Sequence, residues 1–243
     1  MAARKPCLTG LVFLAFACVL PACATTRDRY QGSARVWKKP PVIERRVFDR
    51  RNPPADMPEL EPKTSAVTTI RYGCAASVRG PVVSRRRRGG EYEVTCRIDT
   101  IEADLDCTIT VWIPRRARQI WIDHEEGHRV IAERAYEPAD AIARHEARKL
   151  LGKTFAGTGQ TSAAATSAAL SRAATEFMEA YQAEAHGWSK RVGDRFDEIT
   201  DHSENQSVTV EDAIRQAFED EPPPESATAA AAAPRAPASA RRR

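Results

Sequence analysis

Two histidines flank a pair of glutamates and a glycine in the run His124-Glu125-Glu126-Gly127-His128. Residues four apart on a helix share one face, so His124 and His128 can present two imidazoles to one metal ion. Glu125 is rotated to one side of that face, where it can flank a coordinated water and act as a general base. This HExxH spacing therefore predicts a zinc site that hydrolyses peptide bonds with an activated water.

The third metal ligand has several candidates in the sequence. A histidine six residues after the motif, as in the metzincin class of zinc peptidases, is excluded because Arg134 stands there. Thermolysin-like enzymes take a glutamate from a second helix, and Glu146 lies 18 residues past His128, a comparable distance. His145, beside Glu146, is an alternative.

Three segments ahead of the motif predict strands. They are rich in Val, Ile, Thr and aromatic residues with partial alternation, and they cover residues 65–72, 91–98 and 106–113. The run Arg85 to Arg88, followed by Gly89 and Gly90, stands between two of them and indicates a charged, solvated hairpin loop. The strands are expected to form a small antiparallel sheet.

Helices are predicted after Pro114, where apolar residues recur at three- and four-residue spacing. The first helix carries the HExxH motif, and a second covers 138–151. A Gly, Ser, Thr and Ala-rich connection at 152–167 leads to a long third helix, and a last short helix follows a capping signal at Thr209. The predicted fold class is α+β and zincin-like, a small antiparallel sheet followed by helices.

The two ends of the chain differ in composition from its middle. Residues 1–22 have the charged start and apolar run of a secretory signal, and Leu20-Pro21-Ala22-Cys23 resembles a lipoprotein cleavage site that would place a lipid on Cys23. Residues 23–63 are basic and proline-rich and predict a linker near an anionic membrane, whereas the Ala, Pro and Arg-rich residues 222–243 predict a disordered tail. The folded domain is expected over 64–221.

The charge of the central segment and the cysteines left after export limit the possible partners and disulfides. The central segment 64–221 has a small excess of acidic residues, which argues against binding of nucleic acid. Three cysteines, Cys74, Cys96 and Cys107, remain beyond the signal and the lipid site. Cys96 and Cys107 stand in neighbouring strand segments and can bridge, but Cys74 competes, so the pairing stays open.

Two parts of the sequence together resemble a known family. Val111-Trp112-Ile113-Pro114, with Trp121 ahead of the HExxH motif, is similar to the DUF922 family of predicted secreted zinc-dependent proteases. The run 196–202, Phe-Asp-Glu-Ile-Thr-Asp-His, is similar to that family's YDxxTxHG segment. The resemblance covers roughly residues 64–207.

The resemblance has consequences for the metal site. It implies that His202 is the third zinc ligand, with Asp197 as a ligand or as the partner that orients a histidine. The chain departs from the family pattern at Phe196, where the family has tyrosine, and at Ser203, where it has glycine. Neither departure removes a candidate ligand.

Three functions are consistent with these patterns. The first is a secreted or membrane-anchored zinc metallopeptidase that acts on peptides or proteins, with Glu125 as general base. The second is a non-catalytic envelope lipoprotein in which the metal site is structural, and the third is a zinc amidase that acts on cell-wall peptides. An open cleft beside the metal ligands would favour an enzyme, whereas a closed site would favour the structural role.

Overall fold

The computed structural model describes residues 32–60 and 66–231. In chain order its elements are β1 (Ser33–Lys38), β2 (Val42–Phe48), β3 (Val67–Arg79), β4 (Val82–Arg88), β5 (Glu91–Arg97), β6 (Thr100–Pro114), α1 (Gln119–Tyr136), α2 (Ala139–Leu150), β7 (Thr154–Gly159), α3 (Ser162–Thr200), α4 (Val210–Asp220) and α5 (Glu225–Ala231). The α+β class is confirmed.

Strand β6 is the centre of a four-stranded sheet. Its residues alternate, so that Ile101, Leu105 and Ile109 are fully buried under the helices while Glu102 and Asp104 face outward. β3 pairs with β6 in antiparallel fashion along its whole length, but β1 and β2 pair with the other edge in parallel. The expectation of an antiparallel sheet was therefore wrong in this part, because the sheet is mixed.

The linker predicted over 23–63 is also corrected, since residues 33–48 form β1 and β2. β1 pairs with residues 100–105 and β2 with residues 108–114. Both strands are short, carry several charged residues and flank Pro40-Pro41, so their composition resembles that of a linker. They cover an edge of β6 that would otherwise leave backbone groups unpaired.

A second sheet has the order β4-β5-β7 and is antiparallel throughout. Its inner face packs Val94 and Cys96 against Ala165 and Ala169 of α3. The arginine run expected in a hairpin loop lies in the exposed strand β4, and the turn itself uses Gly89 and Gly90 at φ values of 58° and 91°. Glycine reaches that left-handed region without steric cost.

The predicted connection 152–167 is wrong in the same region. It contains β7, and α3 already begins at Ser162, where the Thr161 hydroxyl accepts a hydrogen bond from the Ala164 amide. Gly157 lets β7 approach α3, since a Cβ there would lie 2.3 Å from the Ala165 carbonyl oxygen. β7 and the start of α3 both consist mainly of small residues, so neither shows the hydrophobic periodicity from which a strand or a helix is predicted.

The other helices agree with their sequence signals. α2 matches the predicted second helix within a residue, and α4 begins at the predicted cap, where Thr209 accepts from the Asp212 amide. α4 packs Ile214 against Val192 and Phe196 of α3. This cluster supports the crossing of α1 and α3 that forms the site described below.

The C-terminal tail is ordered in part. Residues 225–231 form α5, which packs on α2 with Ala227 buried, because alanine combines high helix propensity with a small apolar side chain. The predictions for the signal segment, for Cys23 and for residues 232–243 concern positions outside the described residues.

Cys74, Cys96 and Cys107 are free, and β5 and β6 belong to different sheets, so Cys96 and Cys107 do not bridge across a hairpin. None of the helices in the described part combines the length and the apolar character needed to cross a membrane.

Candidate metal centre

Helix α1 presents both histidines of the HExxH motif on one side. Their rings stand edge to face with centroids 4.8 Å apart, and the two Nε2 atoms lie 3.2 Å from each other. Both side chains are largely buried. Two imidazole nitrogens this close and this poorly hydrated need a shared proton or a cation between them.

Asp197, in the last turn of α3, completes a three-residue cluster with these histidines. Its Oδ1 atom lies 3.1 Å from His124 Nε2 and 2.9 Å from His128 Nε2. Ligand bonds of about 2.0–2.1 Å in a tetrahedral zinc site put donor atoms about 3.3 Å apart. The three observed separations are close to that value, so the donor set fits zinc in geometry as well as in chemistry.

This is the one group of three or more potential metal-ligating side chains that converge in the described part of the chain. Two neutral imidazoles and one carboxylate are a common protein ligand set for catalytic zinc. They also leave a fourth position free, which a water or a substrate oxygen can take.

The separation between the histidines and Asp197 depends on a close helix crossing. A Cβ on Gly127 would lie 2.6 Å from Cζ of Phe196, so α1 and α3 approach at a point where only glycine fits. The Phe196 ring in turn stacks on His124 at 5.0 Å and meets His128 edge-on at 5.1 Å. Phe196 therefore fixes both imidazole rings from one side.

Thr200 orients one of the two rings. Its hydroxyl donates to the Phe196 carbonyl oxygen at 2.8 Å, and His124 Nδ1 lies 3.4 Å from the same hydroxyl oxygen. Because that oxygen already uses its proton, it is free to accept one from Nδ1. With Nδ1 as the donor to Thr200, Nε2 is the nitrogen of His124 that faces Asp197. It donates to that carboxylate when the ring is protonated and offers its lone pair to a metal when the ring is neutral.

Glu125 lies beside the cluster, buried between α1 and β3. Its Oε2 accepts a hydrogen bond of 2.8 Å from the Thr68 hydroxyl. Burial raises the pKa of Glu125, although the charge of His128 and the Thr68 hydrogen bond act in the opposite direction. A raised carboxyl pKa favours proton exchange near neutral pH, as a general base requires.

Asp197 and His128 stabilise each other's charged forms. Burial opposes the charge on Asp197, but the hydrogen bonds from His124 and His128 outweigh it and lower the pKa of Asp197. Burial likewise opposes protonation of His128, and the hydrogen bond and charge of Asp197 outweigh it and raise the pKa of His128. In the metal-free state the pair therefore holds a proton to higher pH than a free imidazole does, and a metal that binds there has to displace it.

The remaining candidate ligands lie elsewhere. His202 is at the rim, with Nδ1 3.7 Å from Asp197 Oδ1 and a side chain that is 78% exposed, in a turn where Asp201, His202 and Ser203 all have positive φ. Glu146 belongs to α2 and pairs with Lys149 at 2.7 Å. Neither Glu146 nor His145 belongs to the three-residue cluster. Asp197, the predicted alternative to His202, does belong to it.

Thr68 and Thr200 were not predicted as site residues. No sequence motif marks Thr68, because Thr68 is 57 residues from Glu125 in the chain and contacts it only in the folded protein, where β3 pairs with β6. Thr200 is part of the segment that resembles the DUF922 family, and its position one helical turn after Phe196 is the signal from which it could have been inferred.

A cavity of about 430 Å³ opens beside His124. One wall is the start of α1, from Arg118 just before the helix to Asp123, and the other is the segment from Thr200 to Val210. The cluster therefore lies at the side of a cleft, as an accessible metal centre requires.

Comparisons of the chain with family models, with curated proteins and with solved structures found no match. The resemblance to the DUF922 family stays a prediction based on two short segments.

Proposed function

We propose that the protein is an exported, zincin-like zinc metallopeptidase. The observation that carries the proposal is the convergence of His124 Nε2, His128 Nε2 and Asp197 Oδ1 within 3.2 Å of one another. In this proposal Asp197 is the third ligand and His202 is not. Glu125 is the general base.

The residues of the chain have separate tasks in the proposed reaction. Zinc with three protein ligands, when bound, lowers the pKa of a coordinated water toward neutrality and polarises a carbonyl group. Glu125 accepts the proton of the attacking water and delivers it to the leaving amine. Thr68 holds the Glu125 carboxylate in place through its hydrogen bond, and Thr200 fixes the tautomer of His124.

The cleft beside His124 supports an enzyme over a purely structural metal site. A structural zinc site is closed by four protein ligands, whereas here three ligand side chains converge in the described part and a cavity adjoins one of them. Cell-wall peptides and proteins would react by the same chemistry, so the substrates offered in the test have to include both.

The proposal extends to location. The predicted signal at residues 1–22 and the lipobox-like run before Cys23 support export, with a lipid on Cys23 as the membrane anchor. The substrate is then a peptide or protein outside the cytoplasm, and nucleic acid is not a partner.

The experiment compares wild type with Glu125→Gln and, as a matched control, Glu126→Gln. Glu126 is the next residue of α1 but pairs with Arg45 and Arg129, away from the metal ligands. We expect one zinc per chain in all three proteins by elemental analysis. Hydrolysis of casein and of peptidoglycan fragments should fall about 10²–10⁴-fold in Glu125→Gln alone, the typical contribution of a general base.

Two results would contradict the proposal. One is wild-type protein that does not retain stoichiometric zinc after dialysis against zinc-containing buffer. The other is a Glu125→Gln variant that cleaves both substrates as fast as wild type does.

A further inference from the structure

A second cavity, of about 580 Å³, lies one helical turn ahead of the metal ligands. We call it the arginine pocket. Its lining comes from the end of β2, from the turn after β6 and from the first turn of α1: Phe48, Asp49, Arg50, Arg51, Pro114, Arg115, Arg116 and Trp121. The site proposed above uses none of these residues.

Positive charge in the pocket exceeds what the protein itself neutralises. Four arginines face one carboxylate, and that carboxylate, Asp49, accepts a hydrogen bond from the Arg51 backbone amide. Arg51, Arg115 and Arg116 have no ion-pair partner anywhere in the described part of the chain. Several arginines elsewhere do have one, such as Arg45 with Glu126. Concentrated cations without counter-charges in a concave site attract an anion.

The indole ring of Trp121 forms one wall of the arginine pocket. The guanidinium groups of Arg50 and Arg118 lie 5.7 Å and 5.4 Å from the centroid of its ring. Stacking of this kind holds a guanidinium in place against the ring. Phe48 and Pro114 are buried beneath and add apolar surface for the methylene groups of a bound side chain.

The pocket is adjacent to the proposed catalytic cleft. Arg118 lines the cavity beside His124 and also stacks on Trp121, which lines the arginine pocket. Trp121 and His124 are three residues apart on α1 and therefore on neighbouring positions of one face. A chain bound across His124 can reach the arginine pocket within a few residues, because an extended chain advances about 3.3 Å per residue.

We propose that the arginine pocket binds an acidic segment of the peptide substrate, with Arg51, Arg115 and Arg116 as its carboxylate ligands. The inference rests on the proposed function for the identity of the ligand as a substrate. The binding itself requires neither zinc nor catalysis. Arginine forks match carboxylates in a bidentate manner, and the apolar walls fit the side-chain stems of glutamate.

The run Arg85 to Arg88 supplies a matched control. It has the same number of arginines, and they are exposed like those of the pocket, but β4 is an edge strand of the other sheet and none of these residues lines the arginine pocket. A double change there removes as much charge from the protein as a double change in the pocket. Long-range attraction is thereby separated from binding at the site.

The test measures binding of a dye-labelled peptide with four consecutive glutamates to full-length Glu125→Gln protein, with and without a zinc chelator, by fluorescence anisotropy. We expect Arg115→Gln/Arg116→Gln to weaken binding about tenfold, because two charge-assisted contacts are lost. Arg86→Gln/Arg88→Gln should change it less than about twofold, as expected for distant exposed charges. Arg51→Gln gives an independent variant, and circular dichroism checks the fold of each.

Three outcomes would overturn the inference: equal weakening by both double variants, equal binding of a peptide with glutamines in place of the glutamates, or binding to vesicles of anionic phospholipid in place of the acidic peptide. Failure of the proposed function has a different signature. Casein would then stay intact in the wild-type assay while the acidic peptide still binds and still depends on Arg115 and Arg116.

Discussion

Replacement of Gly127 by alanine tests whether the crossing of α1 and α3 sets the metal geometry. The added Cβ would lie 2.6 Å from Phe196 Cζ, about 0.9–1.4 Å closer than an ordinary carbon contact. Phe196 is fully buried and packs on both histidine rings, so it cannot relax into solvent. It has to push the rings or displace α3, which carries Asp197.

The expected loss can be worked out for stability and for zinc. Overpacking costs about 1–3 kcal/mol, and removal of a glycine from a helix returns about 1 kcal/mol. The free energy of unfolding of the metal-free protein should therefore fall by about 0–2 kcal/mol. Zinc tolerates donor displacements of only about 0.2 Å. A shift near 1 Å should therefore weaken zinc binding at least about tenfold, which corresponds to about 1.4 kcal/mol.

Gly193→Ala is the matched control. Gly193 lies on α3, and a Cβ there would lie 3.7 Å from His128 Nδ1, an ordinary contact. This variant should gain up to about 1 kcal/mol in unfolding free energy and keep its zinc affinity. Urea denaturation and competition with a chromophoric chelator measure the two quantities. If Gly127→Ala binds zinc as tightly as Gly193→Ala, the close crossing does not set the ligand distances and the reasoning is refuted.

Two further predictions concern the ligands themselves. Asp197→Ala should lose zinc affinity at least about 100-fold, because one of three ligands is removed, whereas His202→Ala should lose less than about threefold; the reverse order in chelator competition would restore His202 as the ligand. Zinc affinity should fall as pH decreases through the raised pKa of His128, because zinc displaces the proton that Asp197 stabilises there. Calorimetry in buffers of different ionisation enthalpy measures this proton release, and an affinity that is flat from about pH 8 to pH 5 would contradict it.

The local part of the site was predictable from sequence. His124, Glu125 and His128 are held in place by one helix, and helical periodicity is a property of neighbouring residues. Which of Asp197 and His202 lies against the two histidines was not predictable, because it depends on where α3 ends. Asp197 lies in the last turn of that helix, whereas His202 follows a left-handed C-cap at Asp201 that turns the chain toward solvent.

Contacts between distant segments account for the other differences. Thr68 reaches Glu125 only because β3 pairs with β6 in one particular register, which neither strand's composition specifies. The strands at 33–48 were mistaken for a linker for the same reason: their stability comes from β6 and not from their own composition. Proline and arginine content alone does not distinguish a short edge strand from a tether.

The parallel pairing of β1 and β2 also has a consequence for how the chain folds. Each pairs with residues 66 or 67 positions later, so the sheet has a high contact order and is expected to form slowly. During synthesis these two strands are made before β6, and they stay without that partner until β6 has been made. Any chaperone or exposed strand edge that binds residues 33–48 in that interval competes directly with β6, so the pairing of these two early strands determines when the sheet is complete.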